Sequence, residues 1–197
     1  MKVNRVIYGL AVLGLTATIC HADCPIAADL DKGIRFQGDD GAMETFVQWT
    51  DGVVASNYSD PDMTGMRSML GQGVYLLEII DVEDGHLVPH TRLTFAHEMA
   101  ASAMPKPVAG GDWRAQTYSW GGYENGMEVA IYAFGEQGTK TFGSCSYDMI
   151  PIEVSFDPAG RIELLNYLPE LGLAYVVGLE ENGQLDRFDY TSIEAVR

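Results

Sequence analysis

Methionine spacing is the sharpest chemical signal in this chain. Met63, Met66 and Met69 recur every third residue, Met99 and Met104 follow in a second short segment, and His97 precedes Met99 by two. Thioether and imidazole groups suit Cu(I), so Met63, Met66, Met69, His97 and Met99 define a candidate copper site. The simpler account is packing. Flexible Met side chains fill irregular cores, and steps of three drift by about 60° around a helix at each interval, so the three sulfurs need not converge. Copper is the one cofactor these residue types suggest.

The other chemistry-bearing residues form incomplete sets. His86 and His90 would meet on a helix, but Pro89 and the alternation around it indicate a strand, on which positions four apart lie about 13 Å from each other. His97-Glu98 begins like a zinc-protease motif, yet Ala101 stands where the second histidine belongs. Ser144-Cys145-Ser146 lacks the Gly-x-Ser-x-Gly elbow of a hydrolase nucleophile. Residues 29–31 and 81–84 are acidic without following a calcium-loop pattern, and Gly121-Gly122 and residues 135–138 join strands and open no helix that could cradle a phosphate. With 28 acidic residues in the chain, no single pair stands out at the separation a glycosidase needs. No catalytic residue is assigned.

Compartment is easier to read. Lys2 and Arg5 start the chain, Val6 to Cys20 is an almost uncharged apolar run, and Cys20 and Ala22 are the small residues expected before a cut at Asp23. Residues 1–22 therefore read as a cleaved signal peptide and residues 23–197 as one mature domain, periplasmic or secreted. The apolar run is short for a membrane span, which needs about 20 residues, so the mature chain is expected to lack a transmembrane segment. A lipoprotein is disfavoured because Ile19 and Asp23 precede the two candidate acylation cysteines. Cleavage leaves two of the three cysteines, Cys24 and Cys145, and an even count in an oxidising compartment predicts a Cys24–Cys145 disulfide.

Charge narrows the partners. Losing Lys2 and Arg5 with the leader deepens a formal net charge of −16 by two, which argues against nucleic acid and anionic membrane surfaces. The acids are scattered through turns, as in an acidic, soluble protein.

The elements that must position these residues are strands. Ile150, Ile152, Val154 and Phe156 alternate with Glu153, Ser155 and Asp157; Asp157-Pro158-Ala159-Gly160 turns the chain, and Ile162 and Leu164 are expected to resume the apolar face. Leu173–Leu179 and Gln184–Tyr190 flank Asn182-Gly183, a hairpin signal. Val74–Val82 is apolar on nearly both faces and should be central, followed by a turn at residues 83–85 and a strand over His86–His97. Ile34–Phe36, Glu44–Trp49, Val53–Tyr58, Trp113–Trp120, Met127–Phe134 and Lys140–Tyr147 complete ten or eleven expected strands. Two short helices are expected, one opened by Asp60-Pro61 and running to Leu70, the other over Glu98–Met104. The fold class is mainly β: an antiparallel meander forming a half-barrel, barrel or sandwich with one or two short helices. On this reading Tyr118, Trp120, Tyr132, Phe134 and Tyr147 fall on matching faces of three successive strands and are the candidate ligand-binding stripe.

Gly110-Gly111-Asp112-Trp113 after a Pro-containing loop, several strands, and Asn166-Tyr167-Leu168-Pro169-Glu170-Leu171-Gly172-Leu173 before a closing hairpin resemble uncharacterised extracytoplasmic β-meander domains. Those are similar in outline to the lipoprotein-carrier half-barrels. The resemblance covers roughly half of the chain and includes no catalytic motif. It implies a curved sheet whose concave side takes an acyl chain or a peptide segment.

The sequence thus points to a non-catalytic binding or envelope module whose partner is a lipid, a peptide or an envelope protein. A copper-binding protein and a secreted hydrolase are the alternatives from other classes.

Overall fold

A computed structural model describes residues 24–62, 64–122 and 125–197. The expected leader, residues 1–22, and Met63 lie outside the described residues. Within them the chain is built almost wholly of strands: β1 (Ile34–Gln37), β2 (Met43–Thr50), β3 (Val53–Ser59), β4 (Gly65–Gly71), β5 (Tyr75–Glu83), β6 (His86–Leu87), β7 (Leu93–His97), β8 (Asp112–Gly121), β9 (Gly126–Phe134), β10 (Gly138–Phe142), β11 (Cys145–Asp157), β12 (Ile162–Leu168), β13 (Leu173–Glu181), β14 (Gln184–Arg187) and β15 (Ser192–Ala195). Every pairing is antiparallel, and the strands form one sheet in the order β14-β13-β12-β11-β9-β8-β7-β5-β4-β3-β2-β1-β15, with β10 on β11 and β6 on β5. The path ends at β14 and β15, so the sheet is open. Its mostly sequential order is that of a curled meander or half-barrel.

Local chemistry explains the clearest elements. In the β13–β14 hairpin, Asn182 and Gly183 both take positive φ, 54° and 79°, the geometry their types favour in a two-residue turn. Strand β11 changes face midway. Cys145 and Tyr147 are buried where it pairs with β10, whereas Ile150, Ile152 and Val154 are buried where it pairs with β9 and β12.

Several sequence expectations are corrected. Asp60-Pro61 does not open a helix. The Asp60 carboxylate accepts from the backbone N–H and hydroxyl of Thr64, and Asp60 N–H donates to the Thr64 carbonyl, closing a loop from which the chain runs straight into strand β4. Residues 98–104 contain only a single 3-10 turn, Ala101–Ala103. The segment 86–97 breaks at a 3-10 turn, Pro89–Thr91, and residues 140–147 are two strands turning at Gly143-Ser144. The phase of β12 also differs: Glu163, Leu165 and Tyr167 oppose Val154, Ile152 and Ile150, while Ile162 and Leu164 lie on the other face.

Two buried clusters show how the sheet curls. The first joins β1–β3 to the far end of the sheet through Ile34, Phe36, Phe46, Phe142, Tyr147, Leu173, Tyr175 and Tyr190. Phe36 sits at its centre, with the rings of Phe46, Phe142, Tyr175 and Tyr190 5.3–5.6 Å away, in edge and tilted arrangements. The second gathers Tyr75, Tyr132, Phe134, Ile150, Ile152, Val154, Tyr167 and Ala174. Leu173 and Tyr175 belong to the first cluster and Ala174 to the second, so β13 is buried on both faces and the sheet wraps around it.

Two contacts fix the wrap. The Gly73 carbonyl accepts from Ala174 N–H at 2.8 Å, and a Cβ on Gly73, whose φ is +68°, would stand 2.2 Å from the Gly172 carbonyl. Glycine alone permits that approach. At the other end Cys24 and Cys145 are disulfide-bonded, 121 residues apart in sequence with Cα atoms 5.5 Å apart, and Tyr147 Oη donates to the Pro25 carbonyl at 2.9 Å. Among the described residues no helix is long and apolar enough to cross a membrane.

Candidate functional site: a cavity inside the curl

Curling leaves an unfilled space of about 410 Å³ on the inner face. Alternation decides what lines it. From β2, β3 and β4 come Glu44, Tyr58 and Met66, which are register neighbours, and one step along come Ser56 and Ser68. His97, Thr117 and Glu128 form a row across β7, β8 and β9. Tyr132, Val154, Glu163 and Leu179 form another across β9, β11, β12 and β13. Between these polar rows the wall is apolar, with Leu70, Leu76, Ile79, Phe95, Leu165 and Val176. The size and predominantly apolar wall are those of a small-molecule pocket.

The polar groups are carboxylates and hydroxyls, with the imidazole of His97 and the guanidinium of Arg161. Glu44 takes hydrogen bonds from the Ser56 hydroxyl and, at 2.8 Å, from Tyr190 Oη. Burial raises its pKa above the ordinary carboxylate value, and the two hydrogen bonds only partly offset that. Glu163 is likewise raised by burial, opposed by Arg161, whose Nε lies 3.2 Å from Glu163 Oε1, and reinforced by Glu128. Arg161 also lies over the Phe156 ring, 4.1 Å from its centroid. His97 Nε2 is 2.9 Å from the Leu76 carbonyl, a contact that requires the proton on Nε2. Its Nδ1 is buried with no partner among the described residues.

The residues singled out by sequence are dispersed. Tyr118 and Trp120 stack on each other, ring centroids 6.4 Å apart, and are about half exposed on the outer face of β8. Tyr132 and Phe134 are buried in the second cluster, and Tyr147 in the first. The expected single stripe therefore does not exist. The β8–β9 register sets Trp113 opposite Tyr132, so Tyr118 and Trp120, an odd number of residues from Trp113, face away. Of the five, Tyr132 lines the cavity.

Nor are the candidate copper ligands brought together. Met66 and Met69 are three apart on strand β4 and point to opposite faces; Met66 lines the cavity with His97, and Met99 is exposed beyond β7. Among the described residues no group of three or more His, Cys, Asp and Glu side chains is arranged to hold a metal.

Glu44, Ser56, Tyr190, Arg161 and Glu163 were not singled out by sequence. Glu163 was readable only with the β11–β12 register in hand, since its neighbours Ile162 and Leu164 are apolar and claim the inner face by composition. Glu44 and Tyr190 meet across 146 residues, and nothing local marks the pair.

Fold and cavity together define an open, single-sheet antiparallel β protein with an internal apolar pocket. No family model, no curated protein and no solved structure matches this chain.

Proposed function

We propose that this chain is a non-catalytic binding or envelope module, exported to the periplasm or beyond, that holds an apolar ligand or partner segment inside its curved sheet. The observation that carries the reading is the 410 Å³ cavity with its mainly aliphatic and aromatic wall. The leader-like residues 1–22 and the Cys24–Cys145 disulfide support a compartment outside the cytoplasm. An acyl chain as occupant is proposed from the sequence resemblance of residues 110–113 and 166–173 to extracytoplasmic β-meander domains.

Val176→Trp tests it. Val176 is half-buried on the cavity wall, and an indole there fills the space without adding a charge. The wild-type chain should retain or take up an apolar fluorophore such as N-phenyl-1-naphthylamine, and the variant should lose it while keeping its unfolding midpoint. Equal uptake by both would sink the reading.

One observation favours the hydrolase alternative: Glu163 is desolvated in a cleft that also contains Glu128. On that reading a panel of chromogenic esters and glycosides would show turnover that Glu163→Gln abolishes.

A further inference from the structure

Resting on the binding reading above, we infer that the occupant is a cationic amphiphile, an apolar chain bearing a protonated amine. Carboxylates reach the wall at Asp40, Glu44, Glu128, Glu163 and Asp189, whereas Arg161 is the only Lys or Arg among the described residues on it. Arg161 is charge-paired with Glu163 and lies over the face of Phe156, although its Nε makes no hydrogen bond among the described residues. Just outside, Lys140 is held by Asp189, with contacts of 2.6 and 2.9 Å. An anionic head, carboxylate or phosphate, would therefore enter a low-dielectric space where, among the described residues, five carboxylates face the single cation Arg161, already charge-paired with Glu163, and like-charge burial of that kind is costly. A head that donates N–H and carries positive charge meets the reverse. Glu44 has carboxylate lone pairs beyond those used by Ser56 and Tyr190, and His97 Nδ1 in the neutral ring is an acceptor without a donor among the described residues. Tyr58 and Tyr190 add aromatic surface beside Glu44, which suits an ammonium further. The aliphatic wall from Leu70, Leu76, Ile79, Leu165 and Val176 takes the chain.

The test compares three probes of equal tail length below their micellar concentrations: dodecylamine, dodecanoate and dodecyl maltoside. Binding to the full mature chain is read by titration calorimetry at pH 7 and by native mass spectrometry. Dodecylamine should bind one to one and at least about tenfold more tightly than either of the others, with the preference shrinking as salt rises. Glu44→Gln, which removes the charge while keeping the shape of the wall, should narrow the preference for dodecylamine over dodecanoate several-fold, a readout that loss of packing alone would not give. If that variant fails to fold, Glu128→Gln, at a carboxylate on the same wall, should narrow the preference in the same direction, and an unchanged preference overturns the head-group assignment. Equal or tighter binding of dodecanoate or maltoside overturns the head-group assignment and leaves the apolar cavity in use. Failure of all three to bind removes both the assignment and the binding reading.

Discussion

Tyr190 donates a 2.8 Å hydrogen bond to Glu44, tying the segment after β14 to strand β2 at the wall of the cavity. Tyr190 belongs to the same aromatic cluster as Phe36 and Tyr175, 5.6 and 5.5 Å away, so the bond couples the acidic wall to the core that closes the curl. Removing the hydroxyl with Tyr190→Phe leaves a buried carboxylate with one donor fewer. A loss of about 1–3 kcal/mol, measured by urea unfolding at neutral pH, is expected when a buried acceptor is left short of a donor.

Glu44 gives a pH signature. Its native pKa lies above 4.5 because burial disfavours the charged form, which outweighs the Ser56 and Tyr190 hydrogen bonds. The carboxyl's contribution to stability is therefore complete below about pH 4.5 and is lost as pH rises through the raised native value. Glu44→Gln should unfold at higher urea than wild type at pH 7.5, with the gap closing toward pH 4.

At the alkaline end the tyrosines act together. Burial holds Tyr147 up to about 12, and raises Tyr75, Tyr132, Tyr175 and Tyr190 as well. Because the neutral phenols are favoured in the fold, the stability they contribute is intact below pH 10 and is lost as pH climbs through the native values. Tyrosinate absorbance near 295 nm should rise in step with loss of near-ultraviolet circular dichroism. Titration of these buried tyrosines near pH 10 with the fold intact would contradict this.

The disulfide closes a long loop. Cys24→Ser with Cys145→Ser, or reduction of the native chain, should cost about 4–5 kcal/mol in the chain-entropy account, read as a fall in thermal midpoint. Phe36→Ala, which empties the centre of the aromatic cluster, should cost about 3–5 kcal/mol. The two losses should add only partly, because Cys145 and Phe36 share one cluster.

Strand grammar was legible wherever period and turn chemistry agreed, as at Ile150–Val154 and at Asn182-Gly183. The cysteine pairing was legible from parity and compartment. The segment from Asp60 to Leu70 misled because Asp-Pro and methionines at steps of three imitate a helix start, whereas Thr64 supplies the donors that make Asp60 a loop residue. The aromatic stripe failed on register, which a one-residue shift inverts, and the phase of β12 failed for the same reason. The cavity itself was beyond reach of local pattern. It exists because Leu173, Ala174 and Tyr175 are all buried, and a strand with two buried faces reveals itself only when the two ends of the sheet meet around it.

Native mass spectrometry of the chain purified from cells that express it tests the central claim most directly. We predict a non-covalent one-to-one adduct of amphiphile mass on the wild-type chain that is absent from Val176→Trp. A wild-type chain of bare polypeptide mass that also refuses added dodecylamine, or an adduct of undiminished intensity on Val176→Trp, would contradict it.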